Sequence, residues 1–318
     1  MAFNGVESAN MVYLCLSVFM SVAMILLFKW FERRQIAIFP AIVVNYYACL
    51  LTGWILAPRG SLALLSEISY EPWMLASIAL GTLFITCFPL IGWSVQYNGA
   101  AATTIAGRSS MVLPVAAAVW LYADRLSAAQ LLGIGLAIAA VGLTVAGHNA
   151  AQAKTQIADQ PKQIPTATTQ YQRYYWVLLP LTFVLNGIIE IVFNYAQKML
   201  LPEAHHTIFT MSLFVVAGII GSVVLAYSCW HGHTRLHWSG VLGGLVLGVP
   251  NYLAAYYFLQ ALSKSGWQSS VVIPLNNILV VLGTTLGTWL LFGERVSRLN
   301  LLGMLLASAA IMLVVRGG

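Results

Sequence analysis

The chain has 318 residues, of which 60% are hydrophobic and 8% are charged, and its mean hydropathy is +0.83. Soluble domains carry about a quarter charged residues, so this composition excludes a water-soluble enzyme. The net charge of +6 comes from 15 Lys and Arg against 9 Asp and Glu, scattered over short loops without a basic run. Nucleic acid is therefore not an expected partner. In a membrane protein, an excess of Lys and Arg usually reflects how the loops are oriented across the lipid bilayer.

A helix that spans a bilayer needs about 20 mostly apolar residues. Ten such runs occur, at 9–28, 38–57, 73–97, 102–122, 128–147, 174–199, 207–229, 238–260, 267–292 and 298–316. The first is not a cleaved signal peptide, because Glu7 precedes it and Lys29 follows it. We therefore expect an all-α, multi-pass integral protein with ten transmembrane helices, in a bacterial-type inner (plasma) membrane.

One connection is long: residues 148–173 are rich in Gln, Thr and Ala, contain two prolines, and predict a flexible linker. It separates residues 1–147 from 174–318, each with five predicted helices. A shift of 165 residues aligns Trp73 with Trp238 across this linker. Because five is an odd number, the second copy must be inserted upside down, so the pattern predicts an inverted repeat, which is typical of transporters.

The fourth and fifth helices of each copy carry an acid-Arg pair between an apolar helix and a small-residue helix. The two stretches read PVAAAVWLYADRLSAAQLLGIGLAIAAVGL and NNILVVLGTTLGTWLLFGERVSRLNLLGMLLASAAIMLV. This pattern resembles the EamA-type repeat of the drug/metabolite transporter superfamily, over nearly the whole chain in two copies. The resemblance implies a ten-helix secondary transporter with a central cavity. Its members carry amino acids, drugs, nucleotide sugars or sugar phosphates, so the cargo is not specified.

The chain departs from this superfamily in two places. Asp124 stands where the first copy usually has Glu, and the usual basic run between the second and third helices is reduced to Arg59. Lys and Arg are more numerous on the side opposite the termini, which favours termini outside the cell. The superfamily is commonly drawn with both termini in the cytoplasm, so the orientation stays open.

Two ionisable residues lie well inside predicted spans, where each costs roughly 2.5–3.5 kcal/mol on insertion scales. Glu190 belongs to a polar stripe at steps of four, with Thr182, Asn186 and Asn194. Our hypothesis is that Glu190 couples transport to a proton or cation, since burial raises the pKa of a carboxyl group towards the range of proton exchange. The alternative is a structural Glu190, paired with Arg108 or hydrogen-bonded to Asn186.

Arg108, in the fourth run, is the second of these residues. Its guanidinium suits bidentate recognition of a carboxylate or phosphate on a solute. The alternatives are an ion pair with Glu190 or an extended side chain that reaches the nearer interface.

Prolines interrupt the third and fourth runs of both copies, at Pro89, Pro114, Pro250 and Pro274. Matched interruptions in two copies indicate a central site. Polar and aromatic residues lie near them or on the second helix, and we take these as candidate solute contacts: Asn45, Trp93, Asn251, Tyr252, Tyr256 and Asn277. For any one of them, an interhelical hydrogen bond is the simpler interpretation.

Small residues at steps of four predict close helix packing at Gly240, Gly244 and Gly248, and on the fifth and tenth helices. The latter two are alternatively a dimer contact, so a monomer or a homodimer is expected. The histidines before and after the seventh helix lie on opposite membrane faces, which argues against a metal site. No metal and no cofactor is therefore expected.

The leading functional hypothesis is a secondary active transporter, an exporter of a small organic metabolite such as an amino acid or a drug-like solute, driven by a proton or a counter-solute. An exchanger of phosphorylated or nucleotide-linked solutes is the alternative, for which more intramembrane Lys or Arg would be expected. A membrane enzyme is not expected, because it would need several catalytic polar groups near one interface, and the acids and histidines inside the predicted spans are too few. No ATP-binding loop of the form GxxxxGK[ST] is present, so ATP is not the expected energy source.

Overall fold

The computed structural model of the protein is helical. It describes residues 5–57, 71–114, 175–202, 205–232, 234–264, 269–293 and 298–317, with short pieces between 117 and 143. About 91% of it is helical, and no strand occurs among the residues it describes. The predicted linker at 148–173 and the acid-Arg pairs at 124–125 and 294–295 lie outside the described residues.

Nine α-helices are described outside those short pieces, most of them close to a predicted run. They are α1 (Gly5–Arg33), α2 (Ile38–Leu56), α3 (Trp73–Asn98), α4 (Ala100–Ser109), α5 (Leu178–Tyr195), α6 (His206–Trp230), α7 (Trp238–Lys264), α8 (Ser269–Phe292) and α9 (Arg298–Gly317). A 3₁₀ turn, Tyr175–Val177, precedes α5, and a π-helical turn, Ala196–Leu200, follows it. The sixth predicted run is thus built from three kinds of helical turn.

Seven helices of the described chain are long and apolar enough to cross a membrane. They correspond to predicted runs one to three and six to nine, so the prediction of a helical protein with several membrane-length spans is confirmed. The tenth run forms α9, whose apolar stretch Leu301–Leu313 is shorter. The fourth and fifth runs fall partly outside the described residues. The count of ten therefore stays a prediction.

The predicted proline interruptions do not end three of the helices. α3 continues through Pro89, α7 through Pro250 and α8 through Pro274. A proline inside a helix removes one backbone hydrogen bond, and in a membrane this loss is tolerated where neighbouring groups compensate. In the fourth run the helix gives way to a turn at Ser110 and Met111, before Pro114. Three of the four prolines therefore lie inside continuous helices. Only the fourth run is interrupted, and its interruption lies before Pro114.

The described chain forms two compact units. Unit 1 comprises residues 1–89 and 189–272, and unit 2 comprises residues 90–188 and 273–318. Each unit draws residues from both sides of the predicted linker. The boundaries fall within α3, α5 and α8, and the first of them directly follows Pro89.

In unit 1, α2 packs along α7 through the predicted glycine stripe. A Cβ atom at Gly244 would meet the backbone oxygen of Ala41 and lie 2.7 Å from Val44 Cβ. One turn further along, a Cβ at Gly248 would meet Ala48 Cβ and lie 2.7 Å from the backbone oxygen of Asn45. The contacting positions ascend together on both helices, so α2 and α7 are parallel. Glycine allows the two backbones to approach this closely.

A second contact in unit 1, between α3 and α6, repeats this arrangement. A Cβ at Gly81 would lie 2.7 Å from the backbone oxygen of Leu213 and 2.7 Å from Val216 Cβ. The same three atoms, one carbonyl oxygen and the Cβ and Cγ1 of a valine three residues later, surround Gly244 in the α2–α7 seam. The two seams are therefore built alike at this level.

The seams differ one turn further along. In the α2–α7 seam the small residue is Gly248 on α7, opposite Ala48 and Cys49 on α2. In the α3–α6 seam the glycine is on the other helix, at Gly221 of α6. A Cβ atom at Gly221 would lie 2.9 Å from Cδ1 of Ile85 on α3. At this level the α2–α7 seam therefore brings a glycine against small residues and backbone, whereas the α3–α6 seam brings a glycine against an isoleucine side chain.

The core of unit 2 is formed largely by α4, α8 and α9. Ile105 packs with Val281 and Ala307, and Met111 packs with Ile311. Ala307 belongs to the predicted small-residue pair of the tenth helix and is buried here within the chain. Gly99, with φ of 85°, connects α3 to α4; glycine adopts this backbone conformation without a steric penalty. This turn sets the direction of α4, which carries Arg108.

Candidate functional site

Unit 2 brings two predicted site residues together. Arg108 lies near the end of α4, about 12 Å along the helix axis from Ala100. Its Nη1 donates a hydrogen bond to Oδ1 of Asn277 on α8 at 3.1 Å. Asn277 is buried, and its Nδ2 lies 3.7 Å from the sulfur of Met111. The amide is thus held by groups on both sides, and the half-buried guanidinium is oriented by it.

Asn186, on α5, lies beside the same stretch of α4. Its Nδ2 donates to the backbone oxygen of Thr182 at 2.9 Å, and a Cβ at Gly107 would be 3.4 Å from that nitrogen. Glycine at this position lets the polar side of α5 approach the residue next to Arg108. Asn186 and Arg108 are therefore near neighbours in unit 2, on different helices.

Two hydroxyl groups beside Arg108 and Gly107 in unit 2 are buried without a hydrogen-bond partner among the described residues. They belong to Ser109, which follows Arg108, and to Thr182, which lies beside Gly107. A buried hydroxyl that lacks a partner is costly, at about 1–3 kcal/mol. A solute or an ordered water that accepted these hydrogen bonds would remove this cost. Together with the guanidinium, the hydroxyls make this region of unit 2 rich in donors.

Unit 1 gathers a second group of predicted residues, on α2 and α7. Nδ2 of Asn251 donates to Oδ1 of Asn45 at 3.2 Å, and Asn45 is completely buried. Tyr252 is also buried and packs against Phe214 and the predicted residue Tyr256, with ring centroids 6.2 and 6.0 Å away. The two amides thus bond to each other inside a tightly packed seam, lined by aromatic rings.

Cys49 also belongs to this cluster, although its sequence context indicates only a small core residue. Its Sγ donates to the backbone oxygen of Gly248 at 3.3 Å and lies 3.7 Å from Asn45 Oδ1. The sequence feature that indicates this contact is the spacing of Asn45 and Cys49, which lie one helical turn apart. Tyr46, next to Asn45, is buried as well, and its hydroxyl has no partner among the described residues.

Glu190 lies on α5, within unit 1. Along α5, the polar residues Thr182, Asn186 and Glu190 are buried or half-buried, whereas Leu181, Val184 and Ile188 are exposed. The polar stripe of the sequence thus points inward and the apolar side faces outward. The π-helical turn Ala196–Leu200 follows directly, and such turns are frequent at functional sites.

Trp93, the remaining predicted site residue, is half-buried on α3 in unit 2. Near it, Ser94 and Thr103 hydroxyls lie 2.8 Å apart, and Asn98 Nδ2 donates to the backbone oxygen of Tyr175 at 3.0 Å. Tyr97 stacks on Tyr175 with ring centroids 3.7 Å apart. The end of α3 is therefore attached to the 3₁₀ turn that opens α5.

Potential metal ligands are dispersed in the part of the chain that the structure describes. No three His, Cys, Asp or Glu side chains come together there. The four cysteines are free, with Cys49 and Cys87 buried and the other two exposed.

No family model matches the chain. An uncharacterized protein from Haemophilus influenzae is 28% identical over 305 residues, which cover 94% of this chain and 95% of that protein. A protein of known crystal structure is 15% identical, covers 96% of both chains and superposes with a TM-score of 0.55. At this identity the structural likeness concerns the fold alone, and it extends over nearly the whole chain.

Proposed function

We propose that the chain is a secondary active transporter, an EamA-type member of the drug/metabolite transporter superfamily that exports a small organic metabolite. The observation that carries this proposal is the Arg108–Asn277 pair, which places a guanidinium among the packed helices of unit 2 and orients it with a buried amide. Ionisable residues at such positions usually mark solute or ion pathways. The cargo is then a solute with a carboxylate group, such as an amino acid or an acidic drug-like compound.

The construction of the two units supports ten helices in an inverted repeat. Unit 1 contains runs one and two, the beginning of run three, the end of run six, and runs seven and eight. Under the predicted repeat, runs one to three correspond to runs six to eight. The α2–α7 and α3–α6 seams then exchange places under the same operation, which accounts for their identical contact atoms around Gly244 and Gly81.

Glu190 is proposed as the coupling acid. Glu190 is half-buried and lies on the same side of α5 as Thr182 and Asn186. Carboxyl groups inside membrane spans often belong to proton relays of transporters, and in this proposal Glu190 takes up and releases a proton during the transport cycle. The driving force would then be a proton gradient rather than ATP.

An exchanger of phosphorylated solutes is the second candidate, and Arg108 is the observation that favours it. Guanidinium groups bind phosphate as well as carboxylate in a bidentate manner. The two candidates differ in the charge that must be balanced, since a phosphate monoester carries about two negative charges near neutral pH and a carboxylate one.

The full-length protein, purified in a neutral detergent, tests the cargo class by thermal unfolding against amino acids, cationic drugs and sugar phosphates. A ligand that binds only the folded state raises the unfolding temperature. At 100 times its Kd, such a ligand adds about 2.7 kcal/mol to the free energy of unfolding. Acidic metabolites are expected to stabilise the parent chain and not the Arg108→Gln variant. An exposed arginine of unit 2 provides the control, Arg298→Gln, which should respond as the parent does.

The coupling role of Glu190 is tested in proteoliposomes with an imposed pH gradient. Glu190→Gln should abolish gradient-driven accumulation of the stabilising solute while exchange without a gradient continues. Glu71→Gln, two residues before α3, is the matched carboxylate control. Unchanged accumulation in Glu190→Gln would exclude this residue as the coupling group.

A further inference from the structure

Unit 1 has a basic end that the transport proposal does not use. It consists of residues 29–37, from the last turn of α1 to the start of α2, and 227–232 and 234–243, from the last turn of α6 into the first turns of α7. Phe31 and Ile36 of the first segment lie 3.1 and 3.5 Å from the Cβ position of Gly243. Pro40, in the first turn of α2, is likewise adjacent to Gly240, in the first turn of α7, at 4.0 Å. The two segments therefore form one continuous surface.

The charge of this basic end is strongly positive. Its described residues include four cationic side chains, Lys29, Arg33, Arg34 and Arg235, and one carboxylate, Glu32. Glu32 is already paired with Lys29 at 2.6 Å. Arg33, Arg34 and Arg235 are exposed at the surface, so three positive charges face the surroundings from two neighbouring segments.

The backbone adds to this positive potential. Because α2 and α7 are parallel and adjacent, both helices begin at the basic end. Neither has an acidic residue in its first turn, and the residue before α2, Ala37, offers no side-chain cap. The positive ends of two helix dipoles thus lie side by side next to the arginines.

The basic end also carries exposed aromatic residues of the type found at the level of lipid headgroups. Trp230 is 90% exposed, Trp238 72% and Tyr227 66%. Exposed Trp and Tyr at the ends of membrane helices concentrate at the membrane–water interface. The Arg34 guanidinium lies 5.9 Å from the ring centroid of Trp30, so charge and aromatic surface occur together.

We propose that the basic end of unit 1 binds the phosphate headgroup of an anionic phospholipid. The arginines and the two helix N-termini provide the positive charge, and the exposed aromatic rings rest among the glycerol and upper acyl regions of the same leaflet. Exposed apolar residues continue from this end along the outer sides of α6 and α7, at Val223, Leu242 and Val246, and offer a surface to the acyl chains. This inference does not depend on the identity of the transported solute.

The test measures equilibrium binding of fluorescent phosphatidylglycerol and phosphatidylcholine to the full-length protein in neutral detergent. The parent should prefer phosphatidylglycerol. Each arginine near an anionic headgroup is worth about a fivefold preference, so Arg34→Gln combined with Arg235→Gln should reduce the preference about 25-fold. Arg298→Gln should leave it unchanged, and Arg34→Lys combined with Arg235→Lys should retain most of it.

Two further arms use the parent chain alone, so that the proposal stays testable if the double variant does not fold. Raising the salt from about 0.1 M to about 1 M shortens the Debye length from about 10 Å to about 3 Å and should abolish the preference. Inorganic phosphate should not displace bound phosphatidylglycerol, because it lacks the acyl chains. A preference that survives both salt and the double Gln variant, or full displacement by inorganic phosphate, would overturn the proposal.

Discussion

Each unit contains an interhelical hydrogen bond of nearly the same length, but the two bonds lie in different surroundings. In unit 1, Asn251 donates to Asn45 at 3.2 Å, and in unit 2, Arg108 donates to Asn277 at 3.1 Å. The first pair is neutral, buried and enclosed by the glycine-lined α2–α7 seam. The second contains a charged group that stays half-exposed. The comparison indicates that the amide pair fixes how two helices pack, whereas the guanidinium is oriented by its partner and keeps part of its surface exposed.

The largest expected effect concerns the seam that encloses the amide pair. Gly248→Ala places a Cβ against Ala48 Cβ and the α2 backbone, which cannot move aside, and we expect a loss of at least about 2 kcal/mol of stability. Gly240→Ala is the matched control in the same stripe, because its Cβ would be 4.0 Å from Pro40, an ordinary contact. Unfolding of both variants in detergent is the measurement, and equal stability of the two would contradict a tight α2–α7 seam.

The next effect separates the charged pair from the neutral one. Arg108→Lys keeps the charge but loses the planar, bidentate donor arrangement. We expect its affinity for the solute that stabilises the parent to fall about tenfold or more, equivalent to about 1.4 kcal/mol, with unfolding in the absence of solute little changed. Isothermal calorimetry measures the affinity. Normal affinity in Arg108→Lys would exclude bidentate recognition.

A third experiment removes one amide from each of the two pairs and compares the effects. Asn251→Ala should reduce the stability of the chain by about 1 kcal/mol, since interhelical hydrogen bonds in membranes average about 0.6 kcal/mol and seldom exceed about 1.7, and it should leave solute affinity unchanged. Asn277→Ala should weaken solute binding, because it releases the guanidinium that it orients. If instead Asn251→Ala weakened solute binding as much as Asn277→Ala, the amides of unit 1 would belong to the binding site.

The smallest effect tests the relation between the two seams of unit 1. Gly221→Ala should cost less than Gly248→Ala, because the atoms that it meets, Ile85 Cδ1 at 2.9 Å and Val43 Cγ2 at 3.0 Å, are ends of side chains. Ile85→Val removes the nearest of these atoms. Gly221→Ala should therefore be less destabilising in the Ile85→Val background than in the parent, which unfolding of the four chains measures as a double-mutant cycle. Strict additivity would show that Gly221 and Ile85 are not coupled.

The sequence predicted the membrane-length helices well, because a long apolar run needs no tertiary contact to be recognised. It also predicted the glycine stripe of α7, since a spacing of four places residues on one side of a helix. The partner of that stripe was not predictable, because any helix with small or flat residues can pack against glycines. The prolines that were predicted inside the third, eighth and ninth runs lie inside α3, α7 and α8, and these helices continue through them.

The candidate site residues were recognisable by type and not by partner. Polar residues in apolar runs are rare enough to be noticed in a sequence, and this applies to Asn45, Asn251 and Arg108 alike. The sequence predicted each of the three as a candidate solute contact, and it did not show how they group. The structure divides them between a closed amide pair in unit 1 and an oriented guanidinium in unit 2, and it adds the Cys49 thiol to the former.

The sequence by itself determined that this protein is helical and suited to a membrane, because hydrophobicity and helical periodicity are properties of single segments. Only the tertiary structure decided which polar groups meet. Hydrogen bonds such as Arg108–Asn277, between residues far apart in the chain, depend on which helices become neighbours and at what register. The same holds for the basic end of unit 1, where two distant loops meet because α2 and α7 pack in parallel through glycines.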